Sequence, residues 1–189
     1  MAYYLRFVLN PNSPDMPEQV ILVDSRDREL GVMDKTEAHK SGSLHRALSV
    51  FVFNSKGELL IHRRAMGKYH SSGLWTNTCC SHPRPGEQVA DAAARRLKEE
   101  MGMNTPLKEL FEFIYKAALE NGLFEHEADH VFIGKDDADP VPDKEEVMEW
   151  KWLNTDEISK DMDANPDNYT IWFQLIFKDV VRKAKETSK

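Results

Sequence analysis

The chain has 189 residues, a length that fits one domain with a hydrophobic core of ordinary size. Its 41% hydrophobic and 30% charged residues exclude a disordered or collagen-like chain. The net charge of −7 argues against a nucleic-acid partner, because no basic surplus is present to neutralise phosphates. The cysteines Cys79 and Cys80 are adjacent and offer no disulfide framework, which favours a reducing compartment.

The domain organisation predicted from the sequence is simple. Residues 1–17 end in a proline-rich stretch and are expected to form an N-terminal arm, whereas residues 18–189 form one domain. No apolar run approaches the roughly 20 residues that a membrane-spanning helix needs. We therefore expect a cytoplasmic protein with no membrane partner, acting as a monomer or a weak homodimer.

The first half of the chain predicts two hairpins and one amphipathic helix. Short apolar runs separated by polar turns place the hairpins within residues 20–33 and 47–61. Residues 66–87 are rich in Gly, Ser, Pro and His, which is typical of a long functional loop. An apolar residue every fourth position predicts a helix over residues 88–101, closed by Gly102 in a left-handed conformation.

The second half predicts three strands followed by two helices. The strands are expected at residues 111–118, 129–134 and 148–153. Asn154 has the side chain to begin a short helix, and residues 170–186 form a long C-terminal helix. Strands interleaved with a few helices predict an α+β fold, in which a mixed sheet is packed between helices in one domain.

The helix over residues 88–101 carries two charged pairs on its surface. Arg95 and Glu99 lie four residues apart, as do Arg96 and Glu100, so each pair shares a helix face. A solvated face with ion pairs is the plain interpretation. However, the helix follows a loop rich in Gly, His and Cys, and the start of a helix after such a loop is a favourable place for an anion or metal site.

This loop and helix, from Ser81 to Gly102, resemble the Nudix box, a Gly followed by a spaced Glu and an Arg-Glu-x-x-Glu-Glu-x-Gly run. The positions that fall in register are Glu87, Arg95, Glu99, Glu100 and Gly102. Two positions depart from the box: Ser81 replaces its first Gly, and Arg96 replaces an acidic residue. Because a cation repels the metal ions of a hydrolytic site, ordinary Nudix hydrolysis is not expected.

A second resemblance is more specific. Residues 75–83, Trp-Thr-Asn-Thr-Cys-Cys-Ser-His-Pro, are similar to a segment of the type I isopentenyl-diphosphate delta-isomerases, which have the Nudix fold. Further matching positions follow in the same order over residues 18–180. The resemblance implies the Nudix fold and, in isoprenoid biosynthesis, the interconversion of isopentenyl and dimethylallyl diphosphate through a tertiary carbocation.

The resemblance also implies two metal sites. The first is a His/Glu centre whose ligands are His39, His45, His82, Glu125 and Glu127. This mixture of imidazoles and carboxylates suits Mn²⁺ or Zn²⁺. Glu125 and Glu127 are two residues apart, so on a strand both point to one face. The second site is a Mg²⁺ ion that joins Glu100 to the diphosphate, while the remaining histidines are expected to be structural: His62, His70, His126 and His130.

The implied catalytic residues are Cys80, Glu127 and Tyr115. Glu127, assisted by Tyr115, is the protonating group, and Cys80 is the base that removes a proton from the opposite side. A cysteine without such context is usually an inert buried thiol, which is the interpretation given to Cys79. Near a metal ligand we expect the pKa of the Cys80 thiol to be lowered.

The substrate-binding positions implied by the family are four cations and two aromatic residues: Lys35, Arg64, Lys68, Arg96, Trp75 and Trp172. A diphosphate requires several charge-assisted donors, and Arg63 is an alternative to Arg64. Trp75 and Trp172 would form walls of the pocket, although packing of Trp172 in the core is an equal alternative. No flavin is implied, and no Gly-rich dinucleotide motif is present.

Two other functions remain open from the sequence. One is a Nudix diphosphatase, against which Arg96 and Ser81 argue. The other is a non-enzymatic module that binds a metal or an isoprenoid diphosphate. The joint presence of Cys80, Tyr115 and Glu127 argues against this second alternative.

Overall fold

The computed structural model describes residues 18–187, which form nine β-strands in one sheet and four α-helices. The predicted arm at residues 1–17 lies outside the described residues. Within residues 18–187, no helix combines the length and the apolar character needed to cross a membrane. The elements are β1 (Gln19–Val23), β2 (Glu29–Asp34), α1 (Lys35–Ser41), β3 (His45–Phe53), β4 (Glu58–Arg64), β5 (Trp75–Thr76), β6 (Cys79–Ser81), α2 (Val89–Met101), β7 (Leu107–Ala118), β8 (Phe124–Lys135), β9 (Val147–Asn154), α3 (Thr155–Ala164) and α4 (Ile171–Thr187).

Strand β3 is the centre of the mixed sheet. It runs parallel to β8 from the pair His45 and Glu127 to the pair Phe53 and Lys135. Along its other edge it pairs antiparallel with β1, β6 and β4 in turn. Strand β7 extends the sheet beyond β8, and β9 extends it beyond β4.

The two faces of β3 are covered by different helices. On one face Leu48, Val50 and Val52 belong to a buried cluster with the apolar stripe of α2, while on the other Phe51 and Phe53 pack in the cluster that contains α4. This alternation follows from the period of two along a strand. The predicted single α+β domain, with a mixed sheet between helices, is confirmed.

Helix α2 ends as its sequence predicts. Gly102 adopts φ 69°, and its N–H binds the carbonyl of Lys98. A side chain at this position would place its Cβ only 2.6 Å from the carbonyl oxygen of Val141. Both the left-handed backbone and the close approach of Val141 therefore favour glycine.

The prediction of a continuous loop over residues 66–87 is wrong in part, because β5 and β6 lie within it. Buried polar side chains hold these strands in the sheet. Thr78 Oγ accepts the N–H of Val52 and donates to the carbonyl of Leu60, so it bridges β3 and β4. Asn77 donates to the carbonyls of Val50 and Cys79. Side chains typical of loops here replace missing backbone hydrogen bonds between strands.

Candidate active site

A cavity opens where β3, β6 and β8 meet α2 and α4, and it collects most of the predicted site residues. Its sides are formed by cations, carboxylates, a thiol and an indole. The residues that line it are Lys35, Leu48, Ser49, Arg64, Lys68, Tyr69, His70, Cys80, Ser81, His82, Arg96, Glu100, Glu125, Glu127 and Trp172.

The predicted His/Glu centre lies at one side of this cavity. His45 Nε2 is 3.2 Å from His82 Nε2, and Glu127 Oε1 lies 2.9 Å from the same His82 nitrogen. His39 Nε2 is 3.2 Å from Glu125 Oε2. His39 and His45 are completely buried and reach the centre from α1 and β3. Four of the five predicted ligands therefore form one group, His39, His45, His82 and Glu127, and Glu125 joins a neighbouring group through His39.

The donor atoms of this centre fit a divalent metal ion. Within residues 18–187, His39 Nε2 and Glu125 Oε2 are buried and have no hydrogen bond of normal geometry. His39 and His45 bind carbonyl oxygens through Nδ1, so each presents an Nε2 lone pair to the centre. Buried unpaired polar atoms are costly, and a bound cation satisfies them.

The two carboxyl groups of the centre differ in electrostatics. Burial raises the pKa of Glu125 to about 7, and the neighbouring Glu127 carboxylate acts in the same direction. Burial also acts on Glu127, but hydrogen bonds from His45 and His82 outweigh it and hold the pKa of this carboxyl well below its usual range. Glu127 is therefore the ionised member of the pair.

Tyr115 lies directly behind Glu127. Strands β7 and β8 pair these two residues, and the Tyr115 hydroxyl donates to Glu127 Oε2 at 2.6 Å. Burial raises the pKa of Tyr115 well above its ordinary value, so the hydroxyl keeps its proton. The arrangement leaves Glu127 with a fixed orientation toward the cavity.

Cys79 and Cys80 point to opposite faces of β6. Cys79 is fully buried in the α2 cluster, whereas Cys80 lines the cavity. The expected low pKa of Cys80 is not found: burial raises it to about 12, and the opposing effect of the Arg64 guanidinium is smaller. The thiol is therefore protonated at neutral pH in the protein described here.

Arg96 and Lys68 form an ion-pair network with three carboxylates, those of Glu99, Glu100 and Glu146. Arg96 Nη2 lies 2.5 Å from Glu100 Oε1 and 3.4 Å from Glu146, and Lys68 also pairs with Glu146. Glu146 lies in an acidic surface turn, residues 144–146, and nothing in its sequence surroundings indicates a site residue. Lys35, the remaining cation on this side, pairs with Glu18 at 3.0 Å.

Arg64, rather than Arg63, faces the cavity. Arg63 is half-buried and donates instead to the carbonyl of Gly73. The guanidinium carbon of Arg64 lies 5.2 Å from the ring centre of Trp172, which is buried and also lines the cavity. Trp75 does not join this lining; its ring lies 4.5 Å from Lys151 Nζ and packs against the α4 cluster.

The sequence predicts a structural role for His70, but this residue lines the cavity. With His39 and Glu125 it forms a second group of possible metal ligands, adjacent to the group that contains His39, His45, His82 and Glu127. Its position directly after Lys68 and Tyr69, in a loop that carries site residues, is the signal that could have found it.

Comparison with known proteins defines the fold family first. The NUDIX domain matches residues 43–173. A protein of known structure from Deinococcus radiodurans superposes with a TM-score of 0.71 at 19% identity, covering 88% of this chain and 98% of its own. The MutT protein from Methanosarcina mazei gives 0.61 at 21% identity, covering 77% and 96%. The chain is thus a Nudix-domain protein.

Sequence relatives define the family more narrowly. The isopentenyl-diphosphate Delta-isomerase 1 of Aromatoleum aromaticum is 50% identical over 171 residues, which cover 90% of this chain and 97% of the relative. The isopentenyl-diphosphate Delta-isomerase of Serratia proteamaculans is 46% identical over 165 residues, covering 87% and 92%. The chain belongs to the isopentenyl-diphosphate Delta-isomerase family, as its motifs suggest.

Proposed function

We propose that this chain interconverts isopentenyl diphosphate and dimethylallyl diphosphate. The observation that carries the proposal is one cavity that joins a thiol, a buried carboxylate and several cations. The thiol of Cys80 and the carboxyl group of Glu127 supply two proton-transferring groups. The cations supply the charge that a diphosphate needs. Membership of the family supports the same reaction.

The chemistry requires an acid and a base in a site that excludes water. A proton is added to C4 of the alkene, a tertiary carbocation forms at C3, and a proton leaves C2. We assign protonation to Glu127, which the Tyr115 hydroxyl assists. Cys80 accepts the proton from C2, and in the reverse direction the two groups exchange roles.

Cys80 enters this cycle from the protonated state, because burial raises its pKa. It therefore suits the proton-donating role of the reverse direction as found. For the forward direction the thiol must first lose its proton, and Glu127, which is ionised as found, must gain one. The adjacent Arg64 guanidinium, 3.9 Å from the sulfur through Nη1, stabilises the resulting thiolate.

The diphosphate is assigned to Lys35, Arg64, Lys68 and Arg96. Arg96 now holds Glu100, a buried residue whose pKa is raised by burial despite the opposing charge of Arg96. We propose that Arg96 turns to the diphosphate when substrate binds, which frees Glu100 to hold a Mg²⁺ ion. In this arrangement Arg96, which stands where the hydrolytic box has an acidic residue, binds the diphosphate, while Glu100 remains available for the metal ion.

The His/Glu centre is assigned to Mn²⁺ or Zn²⁺, which accept mixed imidazole and carboxylate ligands. Such an ion supplies positive charge beside the Glu127 carboxyl group and fixes its position. Trp172 presents its ring to the cavity, where an aromatic face stabilises a carbocation. No flavin is assigned to the reaction.

Product identification tests this proposal. Purified protein is incubated with isopentenyl diphosphate and divalent metal, and the organic product and released phosphate are measured separately. We expect dimethylallyl diphosphate without phosphate release. Phosphate release without isomerisation would support the diphosphatase alternative, and binding with neither product would support the non-enzymatic module.

A further inference from the structure

The indole of Trp172 is held by a hydrogen bond as well as by packing. The residue is only 4% exposed, and its ring lines the cavity. The Nε1–H of the ring donates to Thr76 Oγ1 at 3.0 Å. The guanidinium of Arg64 lies against the same ring, and the His70 ring meets it edge-on with centroids 6.0 Å apart. Because an indole has a single polar group, a donor, the bond to Thr76 satisfies the side chain completely.

The Thr76 hydroxyl that accepts this bond has a fixed orientation. Thr76 is completely buried, and its Oγ1 donates to Asn77 Oδ1 and accepts the hydroxyl of Thr170, both at 2.9 Å. The amide nitrogen of Asn77 donates to two backbone carbonyls, one in β3 and one in β6, so its oxygen is the atom that meets Thr76. A hydroxyl has one proton and two lone pairs. Asn77, Thr170 and Trp172 therefore use its full hydrogen-bonding capacity.

Backbone contacts fix the position of Thr76 relative to helix α4. Thr76 belongs to β5, which pairs with β4 in the sheet. The N–H of Thr170, the residue before α4, donates to the carbonyl of Trp75 at 2.9 Å, and Trp172 is the second residue of that helix. Residues 75–77 of the family motif thus support the Trp172 ring, even though the Trp75 ring itself packs against the core.

The orientation of an aromatic ring decides whether it can stabilise a cation. The face of the ring carries negative charge and its edge carries positive charge, so a cation is attracted over the face. The χ2 torsion of an aromatic side chain is only weakly restricted by itself. Since the indole N–H lies in the plane of the ring, an acceptor held in place at Nε1 restricts rotation of the ring about this torsion.

We propose that Thr76 is a positioning residue whose hydroxyl holds the face of Trp172 toward the carbocation at C3. This inference rests on the proposed function, which places a tertiary carbocation in the cavity. Thr76 is completely buried, so it acts through the indole and not by contact with the substrate. The arrangement gives a role to a motif threonine that the acid, base, metal and diphosphate assignments leave unused.

Steady-state kinetics with isopentenyl diphosphate test the role of the hydroxyl. Thr76→Val keeps the shape of the side chain but offers no acceptor to the indole. We expect kcat to fall by about 3- to 30-fold, the range of a cation–π interaction, with KM unchanged because no diphosphate-binding residue is altered. Thr76→Ser, which keeps the hydroxyl, should retain wild-type kcat. Thr170→Val removes a different hydrogen bond of Thr76 Oγ1 and should have wild-type kinetics, so it is the matched control.

Indole NMR and a double-mutant cycle separate positioning from general support of the fold. Trp172→Phe identifies the Trp172 Nε1–H signal among those of the four tryptophans. Thr76→Val should move this signal upfield and leave the other three in place, because one hydrogen bond is lost. If Thr76 acts through the indole N–H, Thr76→Val should cause no further loss of kcat in the Trp172→Phe background.

The outcomes that would overturn the inference are distinct from failure of the proposed function. An unmoved Trp172 signal in folded Thr76→Val, or equal fractional losses of kcat in the two backgrounds, would show that Thr76 does not act through the ring. If Thr76→Val does not fold, Thr76→Ser decides: a displaced signal or a lowered kcat despite the retained hydroxyl would overturn the inference. Wild-type protein that forms no dimethylallyl diphosphate would instead refute the proposed function, and with it the carbocation that Trp172 faces.

Discussion

Replacement of Tyr115 by phenylalanine isolates one hydrogen bond of the proposed acid. The change removes the hydroxyl that donates to Glu127 Oε2 at 2.6 Å. It keeps the ring, which stacks on Phe113 with centroids 5.3 Å apart. A hydrogen bond to a charged group contributes about 1.5–3 kcal/mol. At 1.36 kcal/mol per tenfold change in rate, the expected loss of kcat is about 10- to 150-fold.

The assay is steady-state isomerisation of isopentenyl diphosphate, accompanied by metal analysis and thermal unfolding. We expect a reduced kcat, an unchanged KM and wild-type metal content, because Tyr115 contacts Glu127 and does not line the part of the cavity that holds the cations. The deficit should persist between pH 6 and 9, since burial raises the pKa of Tyr115 well above this range. A folded variant with wild-type kcat would refute the proposed assistance.

Four further substitutions test other parts of the account. Cys80→Ala should abolish isomerisation, whereas Cys79→Ala should retain it and lose at most about 1–3 kcal/mol of stability, and equal losses of activity would contradict the assignment of the base. Arg96→Ala should raise KM by about 10- to 150-fold, as expected for loss of a charged hydrogen bond. Unchanged kinetics would show that Arg96 does not bind substrate and only forms ion pairs on the surface of the helix. Gly102→Ala should lower the free energy of unfolding by at least about 1 kcal/mol in urea titrations, because its Cβ would meet Val141; wild-type stability would contradict this.

The elements that the sequence predicts well are those with regular patterns. The fourfold apolar spacing of α2 and the glycine after it depend on local physics, so the observed helix differs from the prediction by one residue. Strand β8 begins five residues earlier than predicted, because its first half carries Glu125, His126 and Glu127, which do not resemble an apolar strand. The sequence also does not predict β5 and β6, because the polar side chains of Asn77 and Thr78, which complete the sheet between them, are typical of a loop.

Part of the candidate site could likewise be predicted from the sequence and part could not. The family motifs predict the five metal ligands, the cations and Cys80, and the roles of these residues remain predictions. The position of His70 depends on tertiary contacts made by Arg64 and Glu120, which no local pattern reveals. The raised pKa of Cys80 depends on burial, which its sequence neighbours do not determine. Trp75 is the opposite case: the family motif predicts that it lines the pocket, but its ring packs against the core.

The central claim is tested most directly by carrying out the reaction in deuterium oxide. Isopentenyl diphosphate is incubated with the protein and divalent metal, and the product is followed by NMR. Proton addition at C4 predicts dimethylallyl diphosphate with deuterium in a methyl group and no free phosphate. Formation of unlabelled dimethylallyl diphosphate, or release of phosphate without an isomerised product, would contradict the account.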